Sequence, residues 1–180
     1  MFKLLVAISL PEVLKKQIET IGLELAKDKS KDPDTYHVTL AMLGRFNKDN
    51  FNQALMQKLE EALSNVELKT PFNLSLKSIG CFENGAKGNY LWVGVEKNDE
   101  LVALKKSIDT ALSREGISFD NKYEYNPHIT IARPKDAGSP EIKSLLQKYN
   151  SFSPPPFEVK EFSIIKSAVS HEKIKTYKLA

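Results

Sequence analysis

A chain of 180 residues is sized for one domain, or two small lobes on a shared core, and can bury enough surface to fold without a disulfide or metal staple. Its 26 lysines and arginines nearly balance 23 aspartates and glutamates, for a net charge of +3, which excludes a DNA-coating or polybasic membrane protein but not a local phosphate pocket. Eight glycines and nine prolines are too few for a disordered or collagen-like chain, and the lone Cys81 excludes an internal disulfide and fits a reducing compartment.

Phe2 to Ser9 is an apolar run. Pro11, Glu12, Lys15 and Lys16 follow it too closely for a signal peptide, and no small-x-small cleavage site is present, so it reads as a buried strand. No stretch approaches the ~18 apolar residues of a membrane span, and a cytoplasmic location is expected. Leu14, Ile18, Ile21 and Leu25 then recur at helical spacing behind Pro11, and Lys27 to Asp34 is a polar break. Tyr36 to Leu40 is strand-like. Asp49 or Asn50 is placed to cap a helix carrying Phe51, Leu55, Leu59 and Leu63, and Phe72, Leu74 and Leu76 alternate as a half-buried strand.

The order then repeats. Leu91 to Val95 is a strand, and Leu101, Leu104, Ile108 and Leu112 form a helical stripe. His128 to Ile131 is a short strand. Ser139 and Pro140 open a helix bearing Ile142, Leu145, Leu146 and Tyr149. Phe157, Val159, Phe162 and Ile164 read as one strand whose alternation slips, the mark of a bulge, and Ile174 to Leu179 is a final strand. The chain is therefore expected to be α+β: a single bilobal domain over 1–180, with one copy of the pattern at about 1–80 and a second at about 90–180. Antiparallel sheets are expected to face a central cleft.

The two copies share a chemical motif. His37-Val38-Thr39-Leu40 and His128-Ile129-Thr130-Ile131 match in type at every position. Side chains alternate faces along a strand, so each strand turns apolar residues to the core and presents an imidazole and a hydroxyl together on the other face. The chain has three histidines, and two of them matching this pattern by chance is on the order of one in ten thousand. Phosphodiester cleavage without a metal needs a base for the attacking oxygen and an acid for the leaving oxygen, on opposite sides of phosphorus. Two imidazoles can divide those tasks near neutral pH, and two hydroxyls can donate to the non-bridging oxygens. A zinc site would want HExxH- or CxxC-type spacing and a serine triad a G-x-S-x-G turn; neither is present, so no metal and no cofactor are expected.

These stretches, with Ala41 to Gly44, Gly80-Cys81-Phe82 leading to Leu91-Trp92-Val93-Gly94-Val95, Tyr125-Asn126-Pro127, Ala132-Arg133 and the tail from Phe157 to Tyr177, resemble the two-histidine (2H) phosphoesterases. Within that superfamily the likeness is to the RNA 2′,3′-cyclic phosphodiesterases, also called 2′-5′ RNA ligases or LigT-like proteins. The resemblance implies a bilobal fold and metal-independent hydrolysis of 2′,3′-cyclic phosphates, on RNA 3′ ends or nucleotides, to 2′-phosphates. It implies His37, Thr39, His128 and Thr130 as catalytic residues, with Arg133 and Tyr125 toward substrate. It casts His37 as acid and His128 as base, an assignment that pseudo-symmetry leaves open to inversion. Cleavage of 2′-5′-linked oligonucleotides or another cyclic phosphate, and a non-catalytic RNA-end or nucleotide-binding module, are the alternatives. A monomer is expected.

Two features depart from the family pattern. Met42 stands where an aromatic is frequent, and strand parity from Val38 puts it on the core side. Arg45, Arg114 and Arg133 are the only arginines, so lysines would have to carry other phosphate contacts without a bidentate fork. Arg45 reads as a surface residue at a turn. Gly80, Gly85 and Gly88 around Lys87 read as a hairpin loop, not a phosphate loop. Tyr36, Phe46, Phe82 and Tyr125 offer rings for stacking or packing, His171 reads as a solvated turn residue, and five lysines from Lys160 on make the tail basic.

Overall fold

The computed structural model describes residues 1–25, 31–67, 70–83 and 88–179. Its strands are β1 (Phe2–Ser9), β2 (His37–Phe46), β3 (Phe72–Leu74), β4 (Leu76–Phe82), β5 (Tyr90–Val95), β6 (His128–Ala132), β7 (Phe157–Val159), β8 (Glu161–Ser167) and β9 (His171–Lys178). Its helices are α1 (Glu12–Leu23), α2 (Gln53–Ser64), α3 (Asp99–Arg114) and α4 (Pro140–Lys148). Every ladder is antiparallel, so the fold is α+β.

The series β1-α1-β2-α2-β3 is matched by β5-α3-β6-α4-β7. The third strand of each series pairs with the other, Phe72 opposite Val159 and Leu74 opposite Phe157. The next strand then crosses over. β4 completes the sheet β4-β5-β6, and β8 joins β2-β1-β8-β9. Each large sheet thus contains a strand from the opposite half. One buried cluster runs through both, from Leu4, Val6 and Val38 through Leu74 and Leu91 to Ile129, Ile131 and Ile164.

The two exchanges explain a misread alternation. The slip between Val159 and Phe162 is not a bulge: β7 ends, Lys160 turns the chain, and β8 begins in another sheet. Phe72, Leu74 and Leu76 divide in the same way at Ser75.

Side chains start three of the helices. Asn52, Asn98 and Ser139 accept hydrogen bonds from the backbone N–H groups of Leu55, Leu101 and Ile142 at 2.9, 2.8 and 3.3 Å. The α2 cap lies past Asp49 and Asn50 because the Asn47 side chain accepts from both of their N–H groups and holds them in a turn. Phe51 is left outside the helix, edge-on to Phe2 at 5.1 Å.

β2 uses ten residues to span the eight of β1, with register shifts beside Leu4/Leu5 and Val6/Ala7. The shift at Leu40 reverses parity, and Met42 comes to share a face with Thr39 rather than Val38. There it packs on Leu5, Ala7 and Ile165, a small cluster separate from the main core. Gly44 lies inside β2 with φ 124°, so Arg45 is a strand residue rather than a turn residue, and it is exposed. Most of the expected loop around Lys87 falls outside the described residues.

Candidate active site

The His37 and His128 side chains sit at the first residues of β2 and β6, each partly buried. Each ring is held in the same way. His37 Nδ1 lies 2.8 Å from the Thr35 carbonyl, and His128 Nδ1 lies 2.8 Å from the Asn126 carbonyl. A carbonyl only accepts, so both Nδ1 atoms carry the proton and both Nε2 atoms present a lone pair when the rings are neutral. In the first motif the Thr39 hydroxyl is 3.1 Å from His37 Nε2 and donates to it.

β2 and β6 are tied side by side by reciprocal backbone bonds. The Lys31 N–H, from the segment leading into β2, donates to the Ile131 carbonyl of β6 at 2.9 Å. The Asp120 N–H, from the segment leading toward β6, donates to the Met42 carbonyl of β2 at 2.9 Å. A third tie comes from a side chain: the Tyr125 hydroxyl donates to the Thr39 carbonyl at 2.9 Å. The two motif strands are therefore neighbours, and His128 is near enough for its charge to act on His37.

The second motif rests on an aromatic group. Thr130 pairs with Trp92 and His128 with Gly94 across β5–β6. The Trp92 indole lies over Gly80; a Cβ there would sit 2.1 Å from Cζ2, so only glycine lets the ring lie flat. Phe82 is 5.0 Å from Trp92 and edge-on to His128 at 6.2 Å, with 40% of its surface exposed. Tyr36 and Phe46 instead belong to packing: Tyr36 is buried, and Phe46 stacks on Phe2.

Arg133 follows β6 and is exposed, its guanidinium 4.4 Å above the Tyr90 ring, which leaves the N–H edges open to an anion. Its charge reaches Lys31. Burial, then Arg133, then Lys3 push the Lys31 ammonium down to about 8. Burial and then Lys31 push His37 down to about 3, with smaller contributions from His171 and His128, while the Thr35 carbonyl opposes the shift. His37 is thereby held neutral under the charge of the Lys31 ammonium.

Two members of this group escape sequence reasoning. His171 is not a solvated turn residue: it is the first residue of β9, half-buried, with its ring 4.9 Å from the His37 ring. Burial, then Lys31, push it down to about 4. Lys31 lies in what reads as a polar break. Its only signal is a basic residue six positions before a motif histidine, too common a feature to single out. Of the tail lysines, Lys160, Lys173 and Lys175 pair with Glu158, Glu161 and Glu60.

A family model described as the 2′-5′ RNA ligase superfamily matches residues 10–170. This chain belongs to that superfamily. A Methanocaldococcus jannaschii protein named RNA 2′,3′-cyclic phosphodiesterase is 31% identical over 172 residues, covering 93% of this chain and 92% of its own. An Archaeoglobus fulgidus protein of the same name is 28% identical over 171 residues, with the same coverage of each chain. Among solved structures, Escherichia coli LigT complexed with 3′-AMP superposes with a TM-score of 0.70 at 21% identity, covering 99% of this chain and 98% of LigT. A Thermus thermophilus protein reaches the same TM-score at 17% identity, covering 98% and 97%. These structural likenesses concern the fold. Among the described residues no helix is long and apolar enough to cross a membrane.

Proposed function

We propose that this protein is an enzyme that hydrolyses 2′,3′-cyclic phosphates, at RNA 3′ ends or on nucleotides, to 2′-phosphates by paired imidazole catalysis. The observation that carries the reading is the matched pair of His-x-Thr strands, each with Nδ1–H tied to a carbonyl so that Nε2 is the basic nitrogen, held in the first motif by the Thr39 hydroxyl, on strands bonded to each other's approach segments. The names of the relatives and the 3′-AMP complex of E. coli LigT support the substrate class. The enzyme acts as a cytoplasmic monomer.

In this mechanism one Nε2 takes a proton from water as its oxygen attacks phosphorus. The other Nε2 gives a proton to the ribose 3′-oxygen as the P–O3′ bond breaks, and solvent exchange restores both rings. Thr39 and Thr130 donate to the non-bridging oxygens, and Lys31 and Arg133 balance their charge. The resemblance casts His37 as the acid. Burial and the Lys31 ammonium disfavour the protonated form of His37, so the ring is neutral but weakly basic and ready-made for neither role. As acid, it would first need the substrate anion to raise its basicity.

Turnover of a nucleoside 2′,3′-cyclic phosphate in EDTA, with the product resolved as 2′- or 3′-phosphate, tests the proposal. His37→Ala and His128→Ala should each lose roughly 100- to 10,000-fold in kcat, the usual range for a positioned acid or base. Turnover that survives both substitutions, or tight binding by the intact protein with no turnover, would reject it.

A further inference from the structure

His37 and His171 stand on β2 and β9, the two outer strands of the sheet β2-β1-β8-β9. In a flat sheet those strands lie three spacings apart, about 14 Å, and the register sets the two residues level with Ser9 and Lys3, at opposite ends of β1. Their rings nevertheless meet at 4.9 Å between centroids, with planes inclined by 51°. The sheet must curl toward the site, so that β9 brings a third imidazole over the first motif from the far edge. Both nitrogens of His37 are already engaged, Nδ1 by Thr35 and Nε2 by Thr39. Packing against the ring is what His171 adds. Neither nitrogen of His171 has a hydrogen-bond partner among the described residues.

The charges around this pair are mostly of one sign. The Lys31 charge acts on both rings, that of Lys15 on His171 and that of His128 on His37; Asp32 opposes them at His171, and Lys15 is itself paired with Glu12 and Asp34. Two imidazoles in contact, both under the charge of Lys31, cannot both hold a proton at low cost. We propose that His171 is a positioning residue of this site, bracing the His37 ring and, by exclusion of like charge, confining the pair to at most one proton.

The proposal rests on the phosphodiesterase reading for its kinetic arm but not for its titration arm. With three histidines in the chain, all imidazole signals can be assigned by NMR. His171→Phe keeps a ring and removes the titrating group; His171→Ala removes both. In both variants the His37 titration should move to higher pH, because a like charge is gone. On a nucleoside 2′,3′-cyclic phosphate, His171→Ala should lower kcat roughly tenfold with KM within about twofold, as for a slightly misplaced catalytic group, and His171→Phe should recover most of that loss. An unmoved His37 titration in His171→Phe refutes the coupling. Wild-type kcat in His171→Ala, or a loss confined to KM, refutes the brace. If the wild-type protein turns over no cyclic phosphate, the functional reading fails while the titration still decides the contact. If His171→Ala does not fold, His171→Phe carries the titration arm, and a His171→Leu variant with impaired kcat beside an active His171→Phe carries the kinetic arm.

Discussion

Replacing Gly80 by alanine tests whether the aromatic support of the second motif is as closely fitted as its geometry indicates. The added Cβ would lie 2.1, 2.5 and 2.7 Å from Cζ2, Cη2 and Cε2 of Trp92, where carbon atoms normally rest at about 3.5–4.0 Å. Relief requires the indole to lift by about 1.5 Å, since both the glycine and its partner are fixed in the β4–β5 ladder. The ring cannot lift alone: Phe82 lies against it at 5.0 Å, and His128 meets the Phe82 ring at 6.2 Å. Overpacking of this kind costs about 1–3 kcal/mol. For a chain of this size each kcal/mol lowers the melting midpoint by about 2–4 °C, so a fall of roughly 2–12 °C is expected. Trp92 is the sole tryptophan, so its emission reports the displacement directly and should shift. Turnover should fall with it, through the lost setting of His128. A melting midpoint within about 1 °C of wild type together with an unchanged emission spectrum would show that the stack yields freely and would overturn the argument.

Tyr125→Phe removes the hydroxyl that holds the Thr39 carbonyl; leaving that carbonyl without its donor should cost about 1–3 kcal/mol in chemical denaturation and lower kcat more than it alters KM. An unchanged denaturation midpoint would mean the carbonyl finds another partner. Thr39→Ala and Thr130→Ala should each slow turnover by roughly 10- to 1,000-fold with the fold intact by circular dichroism, the range for loss of one oxyanion donor; full activity in both would remove the hydroxyls from the mechanism. The pH dependence of stability has a defined sign. His37 and His171 are held at about 3 and about 4, against 6.5 in the unfolded chain. Between about pH 6.5 and 4 the unfolded chain therefore gains protons at both positions while the native state does not, and stability falls as pH falls. Thermal midpoints from about pH 7 to 4 should drop, and drop less steeply in His171→Phe; parallel curves would contradict this.

What could be read from the sequence is what period and residue type enforce locally. The helical stripe at Leu101, Leu104, Ile108 and Leu112 is buried as the period requires, because a helix turns the same face inward wherever it packs. The two His-x-Thr strings were legible for the same reason: alternation places imidazole and hydroxyl on one face whatever the sheet order. The superfamily follows from those strings and their flanks. Two features were decided only by long-range structure. Parity fails wherever a bulge inserts a residue, and Leu40 does so in β2, turning Met42 to the face of Thr39. Strand exchange between halves cannot be read from a period, since β4 and β8 look alike whether they stay with their own half or leave it. His171 belongs to the same class. Nothing local separates it from a turn histidine; the curl that carries one edge of a sheet over the other is a property of the folded surface, and it alone brings the third imidazole to the first.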